Sequence, residues 1–456
     1  MITAVDTIIA VCTAPGPAAL ALVRLDGPAA FAIAQRMAGS GDRISAAPSH
    51  TIVYGTVKAA DGTVIDTVLF LLMRGPKTFT GNDCVEITGH NNRFVVQAII
   101  ARALELGCRS ARPGEYTQRA VENGKMDVLQ AEALHELVVA PSLAAAQVSL
   151  RQMQGSLSHV VATVEQELYQ LAAFIEASFE FSEEEHLDLD FDALVRQRII
   201  RVQETVDRVL AGSAAAQHLR EGVKIALVGS VNAGKSTLLN ALIGRRRAIV
   251  SDVPGTTRDS IEAGVTVDGY AWTYIDTAGF RTTTDAIEQE GIVRSQEAAE
   301  LADLVLWVRD ASRGLTPDEQ TLYAQVRERC GAKLVEVYTK YDALGDALPA
   351  GFAGYVVSAH TGYGMDVLKA GISARVKALY ESLETPFMLN QRQSALLQDI
   401  RSELARIAQE CAAPRPAYEL VAMRVHGLLQ LVSELSGRSV TEAVMDAVFS
   451  TFCIGK

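Results

Sequence analysis

The sequence predicts a multidomain α/β protein with an N-terminal α+β domain, an all-α domain in two separated parts, and a P-loop domain inserted between those parts. Three observations carry this expectation. Residues 224–240 read as strand, glycine-containing loop and helix in that order. Apolar residues recur at three- and four-residue spacing on both sides of that stretch, and β-type runs broken by turn residues fill the N-terminal part. The changes of texture place boundaries at 1–120, 121–218, 219–380 and 381–456, although a plain string of domains fits the same texture.

Composition narrows the function classes. A chain of 456 residues with 49% hydrophobic content has room for two to four domains with sizeable cores. The net charge of −12 argues against nonspecific nucleic-acid binding through a general basic field, so any RNA contact is local or supplied by a partner. Cys12, Cys84, Cys108, Cys330, Cys411 and Cys453 are scattered without a C-x-x-C pair, which fits reduced thiols better than a disulfide frame or a zinc site. The first ten residues lack a basic stretch and carry Asp6, unlike a signal peptide. With no apolar run of about 18 residues, a cytoplasmic protein without a membrane span is expected.

In order along the chain, β-type runs fall at 8–11, 19–24, 51–57, 64–73 and 84–88, with Asp61-Gly62 as a hairpin turn and a helix at 93–106. Two segments, 75–90 and 111–119, concentrate glycine, proline and charge; they read as binding loops or as ordinary turns. Helices are predicted at 127–139, 142–154, 156–179 and 193–210, punctuated by Pro141 and Gly155. The acidic stretch 180–192 between the last two reads as a solvated loop; His186 is its only nitrogen ligand. After the P-loop domain, helices are predicted at 390–411, 418–435 and 441–452.

The P-loop runs from Gly229 to Ser236 through Asn232, Ala233, Gly234 and Lys235, with Thr237 opening the helix. Its backbone N–H groups and the helix N-terminus suit phosphate oxygens, Lys235 the terminal phosphates and Ser236 a Mg²⁺ ion. Thr256-Thr257 follows, then Asp276-Thr277-Ala278-Gly279, Thr339-Lys340-Tyr341-Asp342 and Ser358-Ala359-His360, the last three at the ends of apolar runs. A second Mg²⁺ hydroxyl, a glycine N–H able to sense a γ-phosphate, and a carboxylate able to pair with guanine N1 and N2 together make a GTP site on a Ras-like domain. Asp268-Gly269 joins 265–267 to 271–275 as an antiparallel edge hairpin. Phe280 stands where many regulatory GTPases have a glutamine, and a phenyl ring cannot orient water. Asp285, Glu288 and Glu290 are alternatives for that role, or a helix N-terminus enriched in acids. Arg258 and Arg281 are candidates for offsetting phosphate charge; the alternative is a monovalent cation held by Asn232 and carbonyls of 251–256.

With these residues in view, the chain resembles the MnmE (TrmE) family of tRNA-modification GTPases over nearly its full length. The matching segments are Asp6-Thr-Ile-Ile-Ala, Phe79-Thr80-Gly81, 111–119, Asn123-Gly-Lys125 with Asp127 and Gln130-Ala-Glu132, the asparagine-containing P-loop, Gly255-Thr-Thr-Arg-Asp259, Asp276-Thr-Ala-Gly279 and the C-terminal Phe452-Cys-Ile-Gly-Lys456. The resemblance implies an N-terminal domain that binds 5-formyltetrahydrofolate through Arg24, Glu86, Lys125 and Lys456 and forms a homodimer. It implies K⁺ ligands Asn232, Ser251, Val253 and Thr256, Mg²⁺ ligands Ser236 and Thr257, and Glu288 as the catalytic carboxylate. Asp252, Pro254 and Gly255 complete the GTP-binding set. It further implies a flavoprotein partner, MnmG (GidA), carrying FAD, with which a carboxymethylaminomethyl-type group is added at C5 of a tRNA wobble uridine. Cys453 reads either as a nucleophile or as a structural thiol.

Two departures from the family pattern are visible. Thr339 replaces the usual asparagine of the guanine motif, which predicts retained guanine preference with weaker contacts. Asn91-Asn92 replace glycines, and asparagine's tolerance of positive φ predicts that the turn is kept. A GTP-switched adaptor would instead append a basic RNA-binding module or a membrane-seeking helix, and neither is visible in the flanks. A folate-dependent aminomethyl carrier would form its product without GTP.

Overall fold

The computed structural model describes residues 6–39, 43–180, 191–230, 232–244, 261–276, 298–344, 354–381, 387–439 and 441–455. In chain order the N-terminal elements are β1 (Ile8–Val11), β2 (Leu20–Asp26), α1 (Ala30–Ala38), β3 (Thr51–Lys58), β4 (Val64–Met73), β5 (Cys84–His90), α2 (Arg93–Glu105), β6 (Arg109–Ser110) and α3 (Glu115–Glu122). The helices α4 (Val128–Val139), α5 (Leu143–Met153), α6 (Ser156–Glu180) and α7 (Phe191–Glu221) follow. The P-loop region then gives β7 (Val223–Val228), α8 (Lys235–Ile243), β8 (Ile261–Val267), β9 (Tyr270–Asp276), β10 (Leu304–Asp310), α9 (Pro317–Cys330), β11 (Leu334–Thr339), β12 (Tyr355–Val356) and α10 (Met365–Glu381). Helices α11 (Gln391–Cys411), α12 (Tyr418–Ser436) and α13 (Glu442–Ser450) close the chain.

These elements form two compact units. The first takes Met1–His135, Arg151–Gln203 and Asp399–Lys456, and the second Glu136–Leu150 and Glu204–Gln398. The chain thus leaves the first unit for the second twice, at 136 and at 204, and returns to it each time.

The sheet of the first unit has the order β3-β4-β5-β2-β1-β6, antiparallel except for the β1–β6 pair. Period-two alternation sends Val68, Phe70 and Leu72 of β4 into a core shared with Phe31 and Met37 of α1 and Val96 and Ile99 of α2. The opposite face carries two cross-strand rows, Ile52–Leu71–Glu86–Arg24 and Tyr54–Leu69–Thr88–Leu22. In the same unit, α6 packs against α12. Arg438 bonds Glu165 at 2.6 Å across that helix pair.

Several sequence expectations change here. The 111–119 segment is neither a binding loop nor a run of turns in its second half. It enters α3, where Glu115, Tyr116, Thr117, Gln118 and Arg119 are buried. The 75–90 segment is a turn only as far as Asp83, since β5 takes the rest. Asn91 and Asn92 do not supply positive φ. Asn92 is extended (φ −107°) and caps α2 by accepting from the N–H groups of Phe94 and Val95, while Asn91 donates to Gly16 O at 2.7 Å. Helix α7 runs eleven residues past its expected end at Leu210. The acidic stretch 181–190 lies outside the described residues.

The second unit has a six-stranded sheet of order β12-β11-β10-β7-β9-β8. It is parallel except for the β8–β9 hairpin at one edge, where the sequence put it. Helix α5 meets the turn of that hairpin, with Leu143 N donating to Gly269 O at 3.0 Å. Ala145 and Val148 of α5 share one core with Val265, Trp272 and Tyr274 of the hairpin strands.

Candidate functional site

The nucleotide site is assembled at the C-terminal ends of the parallel strands, where open α/β sheets bind ligands. Strand β7 is buried along nearly all its length and ends at Val228, just before Gly229. There the loop passes so close to β10 that a Cβ would sit 2.2 Å from Val308 O, which restricts the position to glycine. Gly234 caps α8 in a left-handed conformation and contributes no side-chain acceptor, as at helix N-termini that take phosphate. Lys235 is 6% exposed and its Nζ donates to the carbonyls of Gly229 and Ser230 at 2.7 Å each, so the ammonium is held within the loop. Asn232 is exposed with φ 66°, a conformation asparagine tolerates better than most residues. Ser236 and Thr237 occupy the exposed side of the first turn.

The residues expected to read the base arrive on β11 and the turn before α10. Thr339, 3% exposed, shares its hydroxyl proton between Ala233 O at 2.5 Å and Arg309 O at 2.9 Å. Threonine therefore ties the guanine motif to the P-loop from within the sheet. Lys340 adopts a left-handed φ of 59° and its ammonium meets Asp310 at 2.7 Å. Burial pushes the Asp310 carboxyl up, but hydrogen bonds from Lys340 and Ser312 outweigh it and leave it below the usual carboxylate range. Asp342 follows in a short 3₁₀ turn, where the fully buried Ser358 donates its hydroxyl to Oδ1 at 2.6 Å. That hydrogen bond holds the Asp342 carboxyl low and ionised, able to accept from N–H donors of a base. Ala359 lies next to Ser358, at the start of the turn that leads to α10.

A brace behind the P-loop was not anticipated. Arg313 donates to Ser230 Oγ at 3.1 Å and to both oxygens of Glu319 at 2.6 and 2.9 Å. Glu319 also accepts from Thr316 N at 2.8 Å, completing a capping box at the start of α9 with Pro317 in its first turn. The hydrogen bond from Arg313 takes the Glu319 carboxyl down to about 2. Thr-Pro-Asp-Glu at 316–319 was the available signal.

Asp276 ends β9 opposite Leu227 of β7, which puts its backbone beside the P-loop strand. Ser251, Asp252, Val253, Pro254, Gly255, Thr256, Thr257, Thr277, Ala278, Gly279 and Glu288 lie outside the described residues, as do Arg258, Arg281, Asp285 and Glu290.

A second candidate site lies on the outer sheet face of the first unit. Arg24 pairs with Glu86 at 2.7 Å, both largely buried, and its guanidinium stands over the rings of Phe79 and Tyr116 at 5.7 and 5.4 Å. The Phe79–Asn82 turn is held from beneath. Fully buried Asp26 accepts from Thr80 Oγ, from Asn82 Nδ2 at 3.0 Å and from Arg119 at 3.3 Å, while Asn123 donates to Thr80 O at 2.6 Å. Asn123 thereby delivers Lys125, whose Cε would lie 3.3 Å from a Cβ on Gly81. From the far end of the chain, Gly455 packs against Val11 and Cys12, leaving no room for a Cβ, which would lie 2.2 Å from Val11 O. Lys456 itself lies outside the described residues. Burial pushes the Cys12 and Cys84 thiols up, so both stay protonated near Arg24 at neutral pH. Cys453 is an exposed free thiol. Among the described residues there is no cluster of His, Cys, Asp and Glu able to hold a metal, and no helix long and apolar enough to cross a membrane.

A Ras-like P-loop domain with a guanine-type base motif, joined to an α+β domain and helices, defines a multidomain GTP-binding class. The family model described as the MnmE helical domain matches residues 128–453, and that described as the N-terminus of the GTP-binding protein TrmE matches 7–125. Proteins named tRNA modification GTPase MnmE are 38% identical in Synechococcus sp. (strain RCC307) and 39% in Parasynechococcus marenigrum (strain WH8102), covering 99% of this chain and 98% and 99% of theirs. A protein of the same name from Symbiobacterium thermophilum is 36% identical, covering 99% of both chains. The chain belongs to the MnmE family.

Proposed function

We propose that this chain is a potassium-activated GTP hydrolase that works with an FAD-carrying flavoprotein. Together they add a carboxymethylaminomethyl-type group at C5 of the wobble uridine of certain tRNAs, using a one-carbon unit from 5-formyltetrahydrofolate. The observation that carries the GTP reading is the ionised Asp342, oriented by Ser358 in the turn that follows the Thr339 tether to the P-loop.

In the hydrolytic step a water oxygen attacks the γ-phosphorus while the bond to the β,γ-bridging oxygen breaks. GDP leaves with that electron pair and inorganic phosphate forms. Glu288 orients the water, and Lys235 with the α8 N-terminus holds the phosphates. Mg²⁺ on Ser236 and Thr257, and K⁺ on Asn232, Ser251, Val253 and Thr256, would offset the phosphate charge. In the first unit, Arg24 and the lysines at 125 and 456 suit the folate carboxylates, and Glu86 suits pterin N–H donors. Exposed Ile52, Tyr54 and Leu69 lie on the same sheet face as Arg24, which supports homodimerisation through that domain.

The test is steady-state hydrolysis in potassium and in sodium at matched ionic strength, with oligomer size read in each. Strong potassium stimulation is expected. Equal slow rates in both salts would overturn the cation mechanism. Glu288→Ala is expected to lose most turnover with little change in GTP affinity, and parallel loss of both would remove its catalytic role.

A further inference from the structure

We infer that Tyr341 and Tyr363 form an aromatic clasp that sets guanine selectivity by fixing the two base-reading turns against each other. The inference deepens the GTP reading proposed above and rests on it. Tyr341 immediately precedes Asp342, and Tyr363 lies on the turn that begins at Ser358. Their rings stack with centroids 4.2 Å apart and planes inclined by 20°, although Tyr363 is 48% exposed. Stacking of that geometry adds to burial rather than merely accompanying it.

The surrounding bonds show what the stack holds. Tyr341 N donates to Val357 O at 3.3 Å, at the long end of the hydrogen-bond range, and Ser358 N donates to Tyr363 O at 2.9 Å. Ser358 Oγ accepts from Thr361 N at 3.1 Å while donating to Asp342. The Asp342 carboxylate is therefore oriented by a hydroxyl whose own turn is closed by Tyr363, and the stack ties that turn to the residue beside Asp342. Asp342 is exposed, so the surrounding protein does little to restrict its rotamers. Tyr341 and Tyr363 act through the turns that carry Asp342 and Ser358, as positioning residues for the base.

The test uses equilibrium binding of GTP and ITP, with Mg²⁺, to the full chain and its variants. Inosine lacks the 2-amino group that a carboxylate at Asp342 would read, so the ratio of the two affinities measures Asp342 placement. Tyr363→Ala is expected to weaken GTP binding about 3- to 10-fold, the span of one stacking contact, with ITP changed less than about 2-fold. Tyr363→Phe keeps the stack and is expected to keep the ratio. Equal weakening of both nucleotides, or no weakening of GTP, overturns the clasp while leaving the GTP reading intact. A wild-type chain that binds GTP and ITP equally overturns the guanine reading and the clasp with it.

Discussion

Replacing Thr339 with valine isolates the tether between the guanine motif and the P-loop. Valine matches the shape of threonine, so no cavity opens, but the hydroxyl proton shared by Ala233 O and Arg309 O is lost. At a position 3% exposed, a carbonyl deprived of its donor costs about 1–3 kcal/mol. Because one of the two carbonyls belongs to the P-loop, part of that loss should appear as nucleotide affinity about 3- to 10-fold weaker, since tenfold corresponds to about 1.4 kcal/mol. The chain's two tryptophans, Trp272 and Trp307, are both buried in the P-loop unit. Tryptophan fluorescence during urea unfolding therefore reports that unit in a chain whose global unfolding is not expected to be two-state. A midpoint and a GDP affinity both equal to wild type would refute the tether.

Arg24→Ala is expected to weaken 5-formyltetrahydrofolate binding about tenfold or more, as loss of a charge-assisted contact does, measured by titration calorimetry. Unchanged affinity would remove Arg24 from the site. Gly455→Ala drives a Cβ into Val11 O and should weaken the same ligand while leaving the tryptophan-monitored transition in place. Glu319, held low by Arg313, stabilises the fold above its unfolded-chain value near 4.5, and that contribution is lost as pH falls toward about 2. Glu319→Gln should therefore flatten the fall in the P-loop unit's urea midpoint between those two pH values, and an unaltered slope would contradict the brace.

Much of the molecule was legible because its signals are local. The P-loop spacing, the strands ending at Asp276 and Thr339, the apolar run that leads to Ser358, and the Asp61-Gly62 hairpin all depend on neighbours in sequence. What could not be read depends on distant partners. Whether 111–119 is loop or helix turns on burial of Arg119 against Asp26 and Asp6, residues more than 90 positions away. Asn91 and Asn92 were expected to serve through their backbone, yet they act through side chains, one on Gly16 and one on the N-terminus of α2. The role of Thr339 needed the position of Ala233, 106 residues upstream. Arg313 had no motif of its own, and only the capping box hinted at its partner.

The docking of α5 on the β8–β9 hairpin bears on how the nucleotide domain can be handled by itself. A fragment cut at 219–380 would keep Val265 and Trp272 but lose Ala145 and Val148 from their shared core, and Leu143 from the hairpin turn. Its edge strand would then present unpaired backbone next to newly wetted apolar surface, the combination that favours strand-to-strand aggregation. Work on the isolated domain should carry residues 136–150 along, fused or added in trans, so that solubility and nucleotide affinity reflect the intact protein.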